Sequence, residues 1–305
     1  MMPLDSVQLV TFHAVVREGS FESAARWLRV TPSAVSQRIK ALEQAVGQTL
    51  VRRTKPCQPT EAGRPLFRLA GQFALLEREA LEAARGALDD GSTGTRVTVV
   101  VNADSLITWF LGALAGLPEG LALRFDLHRD DQDHTADLLR DGSAMAAVTA
   151  QNVAVQGCRV ERLGAMRYHA VASPDLWRRY FADGGGASGL AAAPMIVFDR
   201  KDRLQHRFLG TLTRRRVHPP IHYVPSAWAF TEAIRLGLGW GMVPEQIARG
   251  DLTAGRYVEL AAGRHLDVPL YWQCWRLEST VLAALTASVK AAAAAALRRP
   301  AARPG

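Results

Sequence analysis

Residues 20–53 read SFESAARWLRVTPSAVSQRIKALEQAVGQTLVRR and contain two helical patterns separated by a short break. Ser20 can cap the first helix, whose apolar residues all fall on one face: Phe21, Ala24, Ala25 and Leu28. After the break at Arg29-Val30, Thr31 can cap a second helix, and Pro32 is tolerated in its first turn. The two small alanines leave room for a close helix crossing, so the stretch predicts a helix-turn-helix.

The helix that starts at Pro32 has two chemically different faces. Its apolar face consists of Val35, Ile39, Leu42 and Val46. Its polar face consists of Ser33, Ser36, Gln37, Lys40 and Gln44, with Arg38 on the flank. Short hydrogen-bonding side chains suit a helix that reads base edges in a major groove. A plain solvated surface is the alternative, and for this helix alone the two interpretations are about equally good.

The flanking segments favour the DNA-binding interpretation. An apolar stripe upstream ends before Gly19: Leu9, Phe12, Val15 and Val16. Downstream, residues 50–53 and 59–60 predict two short strands of a wing, in which Arg52, Arg53 and Lys55 are placed for phosphates. We therefore expect DNA contacts from Thr31, Ser33, Ser36, Gln37, Arg38, Lys40, Arg52 and Arg53.

A long helix is predicted from Thr60 onward, with limits of 61–90 after a winged helix-turn-helix domain at 1–60. Its apolar residues alternate by three and four, as in a heptad seam: Leu66, Leu69, Phe73, Leu76, Ala80, Ala83 and Ala87. Such a seam can pair with a second copy of the helix. The alternative is packing on its own domain, but pairing also explains how two recognition helices would meet a two-fold DNA site.

Composition and charge agree with a basic N-terminal module followed by a segment of nearly zero net charge. The 305 residues suffice for two or three compact units and carry a net charge of +8. Residues 1–68 hold 10 Lys/Arg against 5 Asp/Glu, whereas residues 69–305 hold 27 against 24. No apolar run is long enough for a membrane helix and no leader pattern is found, so we expect a cytoplasmic protein. Three scattered cysteines without metal-ligand spacing predict no metal site.

The remainder, residues 91–305, alternates between strand and helix patterns. In the first half, strands are predicted at 96–101, 121–127 and 144–149, and helices at 106–114 and 135–140. A second lobe is expected at about 168–267, with strands at 170–172 and 195–198. Its segment 226–248 predicts a helix, a Gly-rich turn and a short strand that ends at Pro244. Residues 268–272 return the chain to the first lobe, at about 91–167 and 268–305, before a last helix. This order predicts an α/β domain with a mostly parallel sheet, whose ligands bind beyond the carboxyl ends of the strands.

Residues 20–53, followed by PTEAG at 59–63, resemble the DNA-binding signature of LysR-type transcriptional regulators. The resemblance implies an α+β multidomain fold: a winged helix-turn-helix, a long dimerisation helix and a two-lobed sensor like the periplasmic binding proteins. It further implies a homodimer or homotetramer that binds double-stranded promoter DNA and works with RNA polymerase.

Within that family, VNADSLITWFL at 101–111 resembles the start of the sensor in the ArgP/LysG branch. Further matching stretches are LRDGSAMAAVTAQ at 139–151, IVFDRKD at 196–202 and LYWQ at 270–273. The resemblance implies activation of a basic amino-acid exporter gene in response to lysine or arginine, without a cofactor. A different small-molecule effector, or DNA-binding inhibition of chromosome replication initiation, is the alternative.

The chemistry of a basic amino acid indicates which residues to expect at the effector site. Its α-carboxylate needs helix N-terminal amides and a hydroxyl, which Ser105 can provide. Its cationic groups need carboxylates, and five aspartates follow predicted strands: Asp104, Asp130, Asp131, Asp199 and Asp202. For each aspartate alone, a helix cap or surface charge is the alternative.

No Gly-x-Ser-x-Gly elbow, phosphate loop or His-Glu-x-x-His motif is present, so we expect no enzyme. A solute-binding protein would share the sensor fold but would lack the winged helix.

Overall fold

The computed structural model describes residues 4–85, 94–129, 132–182 and 186–299. Two compact units are formed, each from several stretches of chain. The first unit contains Met1–Asn102, Leu117–Glu161 and Trp272–Ser288. The second unit contains Ala103–Gly116, Arg162–Tyr271 and Val289–Gly305. The sequence-based domain limits at 60, 90, 167 and 268 stay predictions. Two of the aspartates expected at the effector site, Asp130 and Asp131, lie outside the described residues.

Three helices open the chain, and strands and helices are interspersed after them. The helices are α1 Ser6–Glu18, α2 Phe21–Leu28, α3 Pro32–Val46, α4 Gly63–Arg85, α5 Ala103–Ser105, α6 Leu111–Ala115, α7 Gln132–Asp141, α8 Pro174–Phe181, α9 Gly186–Ala192, α10 Leu204–Leu212, α11 Ala227–Arg235, α12 Glu245–Thr253 and α13 Thr280–Ala296. A π-helical turn at Leu106–Phe110 joins α5 to α6. The strands are β1 Val51–Arg52, β2 Gln58–Pro59, β3 Thr95–Val101, β4 Leu123–Arg129, β5 Ala146–Thr149, β6 Cys158–Ala172, β7 Met195–Val197, β8 Ile221–Tyr223, β9 Gly241–Pro244, β10 Val258–Glu259 and β11 His265–Trp275.

Local capping sets the ends of the first three helices, as the sequence predicts. The Ser20 hydroxyl accepts a hydrogen bond from the Ser23 amide at 3.0 Å, and the Thr31 hydroxyl accepts one from the Ala34 amide at 3.2 Å. Each such cap contributes about 1 kcal/mol. Gly19 and Gly47 end α1 and α3 in the left-handed region, with φ of 73° and 75°. These four residues set where the helices of the helix-turn-helix begin and end.

The wing is a two-stranded antiparallel sheet that packs against the turn between α1 and α2. Arg52 pairs with Gln58 in this sheet. The Cys57 amide donates to the Gly19 carbonyl at 2.7 Å, and a Cβ on Gly19 would lie 2.9 Å from the Pro56 Cβ. Position 19 therefore needs glycine both for its positive φ and for the close approach of the wing.

Helix α4 begins at Gly63, three residues after the sequence-based start at Thr60. The Thr60 hydroxyl instead accepts a hydrogen bond from the Gly63 amide at 3.0 Å, so Thr60 precedes the helix as its cap. Farther along, the carboxylate of Glu79 accepts a 2.6 Å hydrogen bond from the Ser279 hydroxyl and also bonds the amides that open α13. The long helix is thereby joined to the C-terminal helix within the first unit.

Beyond the wing, parallel strand pairs occur in both units and antiparallel pairs occur in the second unit. In the first unit β3 pairs in parallel with β4 and β5, as the sequence predicts. In the second unit β7 pairs in parallel with β8, whereas β6 pairs in antiparallel fashion with β9 and β10, an arrangement that the strand-helix alternation did not predict. The second unit has its own apolar core, built from residues such as Ile196, Ile234 and Val243.

Two elements within residues 91–305 differ from their sequence-based limits. Strand β6 begins at Cys158, although only residues 170–172 were predicted as strand, because charged side chains interrupt the apolar pattern of its first half. The helix predicted at 106–114 is interrupted by the π-helical turn, whose hydrogen-bond pattern leaves no signal in composition. Such turns occur frequently at functional sites.

Candidate functional site

Helix α3 carries the expected base-reading face. Val35, Ile39 and Leu42 are buried in the core of the helix-turn-helix. The opposite side presents Ser33, Gln37 and Lys40 as exposed residues and Ser36 as a half-buried one. Thr31, at the start of the helix, is also exposed. The sequence pattern and the burial agree, so these five residues form one continuous polar surface.

The arginines expected to contact phosphates differ in their surroundings. Arg52 and Arg53 are exposed on and beside wing strand β1, and the Arg53 guanidinium lies 5.0 Å from the centre of the Phe21 ring. Arg38 is half-buried, and its Nη1 lies 3.5 Å from the hydroxyl of Thr11 in α1. A wing arginine that rests on an aromatic ring keeps its N–H groups available to a phosphate.

A carboxylate that the sequence interpretation missed positions the wing. Glu43 lies on α3, and its Oε1 accepts hydrogen bonds from the amides of Leu50 at 2.8 Å and Val51 at 3.3 Å. The contact ties the recognition helix directly to the first wing strand. No pattern marked this residue, because a glutamate in the last turns of a helix normally faces solvent.

In the second unit, Asp104 and Tyr168 form a buried polar pair. The Tyr168 hydroxyl on β6 donates a 2.7 Å hydrogen bond to Asp104 Oδ2 at the start of α5. Burial raises the pKa of the Asp104 carboxyl to about 6, the hydrogen bond from Tyr168 opposes that rise, and the charge of Asp202 adds to it. Burial also raises the pKa of Tyr168 well above its usual value, so the phenol remains a donor.

Ser105 lies beside this pair with unsatisfied hydrogen-bonding capacity. The residue is completely buried, and within the described part of the chain its hydroxyl has no hydrogen-bond partner. The indole N–H of Trp109, four residues along in the π-helical turn, is buried and unpartnered in the same way among the described residues. Buried polar atoms are normally paired, so two unpaired atoms in one turn mark a place where a polar ligand group fits.

Asp199 and Asp202 occupy the loop between β7 and α10. Asp199 Oδ1 accepts hydrogen bonds from the amides of Lys201 and Asp202, at 2.8 and 3.0 Å. Asp202 accepts from the Phe198 amide at 3.2 Å and from the amide of Leu204, the first residue of α10, at 2.9 Å. Asp202 is close enough for its charge to act on Asp104. Both carboxylates thus bond amides of their own loop, but Asp202 and not Asp199 is among the groups whose charge raises the pKa of Asp104, which is next to Ser105 in the chain.

Tyr168 belongs to this neighbourhood and was not expected from the sequence, and Gln205 is a further buried polar residue of the same unit. Tyr168 is separated from Asp104 by 64 residues, so their contact leaves no local signal. Gln205 lies in the first turn of α10, three residues after Asp202, and is 1% exposed. Its Oε1 atom has no partner among the described residues. The sequence signal that could have identified Tyr168 is its hydroxyl group at an alternating position of strand β6.

Comparisons with known proteins place these features in a family context. The model described as "Bacterial regulatory helix-turn-helix protein, lysR family" matches residues 7–64, and "LysR substrate binding domain" matches residues 91–296. A protein of Corynebacterium efficiens, described as the lysine export transcriptional regulatory protein LysG, is 46% identical over 300 residues, covering 97% of this chain and all of its own.

Two solved structures are similar over nearly the whole chain. The crystal structure of ArgP from Mycobacterium tuberculosis is 50% identical, with a TM-score of 0.87, and the match covers 98% of this chain and 100% of that one. Full-length LysG from Corynebacterium glutamicum with bound effector Arg is 41% identical, with a TM-score of 0.76, and the match covers 97% and 100%. These relatives are transcriptional regulators and not enzymes.

Proposed function

Because the chain belongs to the LysR family of bacterial transcriptional regulators, we propose that it binds promoter DNA and changes transcription when lysine or arginine occupies its sensor. The observation that carries the effector assignment is the buried Asp104 carboxylate, held by Tyr168 beside a fully buried, unpartnered Ser105 hydroxyl. The regulated gene is proposed to encode a basic amino-acid exporter, by analogy with the lysine export regulator LysG.

To recognise an amino acid, the effector site needs hydrogen-bond donors for the ligand carboxylate and carboxylates for a cationic group of the ligand. Ser105 and the backbone amides at the start of α5 suit the α-carboxylate of the ligand. Asp104 and Asp202 suit a cationic group, since a buried cation binds only where carboxylates compensate its lost hydration. The bound Arg of the Corynebacterium glutamicum structure supports this choice of ligand class. Asp130, Asp131 and Asp199 remain proposed contributors.

We propose that α4 pairs with the same helix of a second chain, giving a homodimer or homotetramer that works with RNA polymerase. Helix α4 packs on its own unit through Phe67, Ala70 and Leu75, which are buried. Leu69 and Leu76 of the heptad seam lie on another face and are 44% and 39% exposed. An exposed leucine seam on a long helix is suited to a partner helix.

The experiment that tests this function is sequencing of the DNA that copurifies with the full-length protein. Enrichment of a promoter next to a gene for an amino-acid exporter would support the proposal, and recovery of random fragments would reject it. A promoter-bound regulator works in the cytoplasm, which is where we place the protein. Among the described residues, no helix is both long and apolar enough to cross a membrane.

Gln37 should contribute to sequence discrimination rather than to general affinity. Gln37→Ala removes a side chain that can bond two positions of an adenine edge, so operator affinity should fall by about 1–3 kcal/mol while binding to random duplex changes little. Arg53→Ala serves as the contrasting variant, because loss of a phosphate contact should weaken both kinds of DNA. Fluorescence anisotropy with an operator duplex and a random duplex measures both affinities. Equal losses of affinity for the two duplexes in Gln37→Ala would reject base reading.

Effector binding should weaken in acid through Asp104. A cationic ligand favours the ionised carboxylate, whereas in the free protein burial raises the Asp104 pKa to about 6 and the charge of Asp202 also favours protonation. Arginine affinity should therefore be full above about pH 7 and should fall by up to about tenfold per pH unit below about pH 6. Calorimetry from about pH 5 to 8 measures this, and a flat profile would exclude Asp104 as the ionised partner.

A further inference from the structure

Residues 200–223, RKDRLQHRFLGTLTRRRVHPPIHY, form a second concentration of positive charge. They hold seven Lys/Arg and one Asp, a net charge of +6 in a chain whose total is +8. Residues 1–68 carry a net +5, so all other residues together carry a net −3. The positive charge of the protein is therefore concentrated at the winged helix-turn-helix and at this one segment of the second unit.

The fold places this segment on the outside of a strand–helix–strand unit. Strands β7 and β8 pair in parallel, with Val197 opposite Tyr223, and α10 connects them. Gln205, Phe208 and Leu209 form the buried face of α10. Arg207 is exposed on the other face, and the chain continues through the exposed residues 214–216 before it enters β8. Every strong base of this helix and its following loop therefore faces outward.

We use the name arginine strip for seven exposed residues: Arg200, Arg203, Arg207, Arg214, Arg215, Arg216 and Arg264. Arg264 joins the strip because its Nη1 donates a 2.6 Å hydrogen bond to the carbonyl of Thr211, at the end of α10. The Arg200 guanidinium lies 5.0 Å from the centre of the Tyr223 ring. The Arg215 amide donates to the Thr213 hydroxyl at 3.1 Å, which gives the loop a defined turn.

No arginine of the strip forms an ion pair with a carboxylate in the part of the chain that the structure describes. For the six members between residues 200 and 216, the nearest acidic residues in the sequence are Asp199 and Asp202, which accept hydrogen bonds from backbone amides of their own loop. For Arg264 it is Asp267, which pairs with Arg167. Other exposed arginines of the same unit are paired, for example Arg178 with Asp175 and Arg249 with Glu245. The strip is thus an uncompensated positive surface.

The chemistry of the strip suits phosphates better than a protein surface. All seven members are arginines, whose planar N–H fork matches a phosphate with two hydrogen bonds. The centres of protein interfaces are depleted of charged residues overall and are built around buried anchors, among which tryptophan and tyrosine are enriched together with arginine. Between residues 200 and 216 no exposed residue carries an apolar side chain, and Tyr223 beside the strip is covered in part by Arg200. Interfaces with nucleic acid are polar and strongly basic, as this surface is.

We propose that the arginine strip is a second DNA-contact surface, which holds backbone phosphates of a duplex without reading its sequence. The proposal rests on the proposed function, since it assumes a protein that binds DNA through its N-terminal module. Contacts of this kind position DNA and add salt-dependent affinity, while sequence is read elsewhere.

The test compares two triple variants of the full-length protein that lose the same number of charges. The first is Arg214→Gln/Arg215→Gln/Arg216→Gln. The matched control is Arg178→Gln/Arg179→Gln/Arg249→Gln, at exposed positions of the same unit outside the strip. Affinity for a random-sequence duplex of about 60 base pairs is measured over a series of salt concentrations. Each lost phosphate contact should reduce the slope of log affinity against log salt by about 1.

We expect the strip variant to bind about tenfold or more weakly at low salt, with a slope smaller by two to three units, roughly. The control should keep the wild-type slope. Equal losses of duplex affinity in both variants would mean that only the net charge of the protein matters, and this would overturn the proposal. An unchanged strip variant would also overturn it, and if that variant then failed to activate transcription, the strip would be a surface for an acidic protein. Failure of the wild-type protein to bind any duplex would instead reject the proposed function.

Discussion

Leu76→Glu should dissociate the protein into smaller species and weaken operator binding by about 100-fold. Leu76 is exposed in the single chain but lies on the heptad seam of α4 together with Leu69. In a paired helix its side chain would be buried, and two introduced carboxylates would face each other across the seam. An uncompensated charge in such a place costs about 3 kcal/mol or more, and a dimer that separates also loses the joint binding of two recognition helices.

The same helix offers a matched control for this variant. Leu81 is 45% exposed, compared with 39% for Leu76, but lies five residues farther along and hence about 140° around the helix. Leu81→Glu should therefore keep the wild-type mass and DNA affinity. Analytical ultracentrifugation and anisotropy measure the two quantities. If Leu76→Glu kept the wild-type mass, or if both variants dissociated alike, the seam would not be the dimer contact.

Asp104→Asn should reduce the affinity for arginine by about 10- to 100-fold, because it removes the carboxylate that compensates the buried cation. The amide can still accept the hydrogen bond that the Tyr168 hydroxyl now donates at 2.7 Å, so the local fold should persist. Asp175→Asn is the matched control, since it removes one charge from an exposed position of the same unit that is not part of the proposed site. Calorimetry should show little change for Asp175→Asn.

The unliganded Asp104→Asn protein should also be more stable than the wild type at neutral pH. The pKa of Asp104 rises from 3.8 to about 6 on folding, so its ionisation costs stability as the pH increases through that range. A shift of this size corresponds to roughly 2–3 kcal/mol. Thermal unfolding at about pH 7.5 measures the difference, which should disappear near pH 3. Lower stability together with weaker binding would indicate a structural role instead.

The helix-turn-helix could be predicted in detail because its determinants are local. Ser20 and Thr31 cap the helices that they precede, and Gly19 and Gly47 adopt the positive φ that ends a helix. The polar face of α3 could also be predicted, since burial follows helical periodicity closely. Glu43 could not, because its hydrogen bonds to the wing depend on how the chain folds back onto α3.

The effector site could be predicted only in part for the same reason. Asp104, Ser105 and Asp202 were found because each follows a predicted strand, where ligands of α/β proteins bind. The Tyr168 contact connects residues 64 apart through a strand whose first half was not predicted. The sequence pattern also gave Asp199 and Asp202 equal weight, whereas only Asp202 acts on the Asp104 charge.

The most direct test of the effector assignment is a calorimetric titration of the full-length protein with arginine, lysine and norleucine. Norleucine keeps the amino-acid backbone and an unbranched apolar chain but lacks the side-chain cation. We expect arginine and lysine to bind and norleucine to bind at least about 100-fold more weakly, because only the first two provide a cation for Asp104 and Asp202. Binding of norleucine as tight as that of lysine, or no binding of any of the three, would contradict the account.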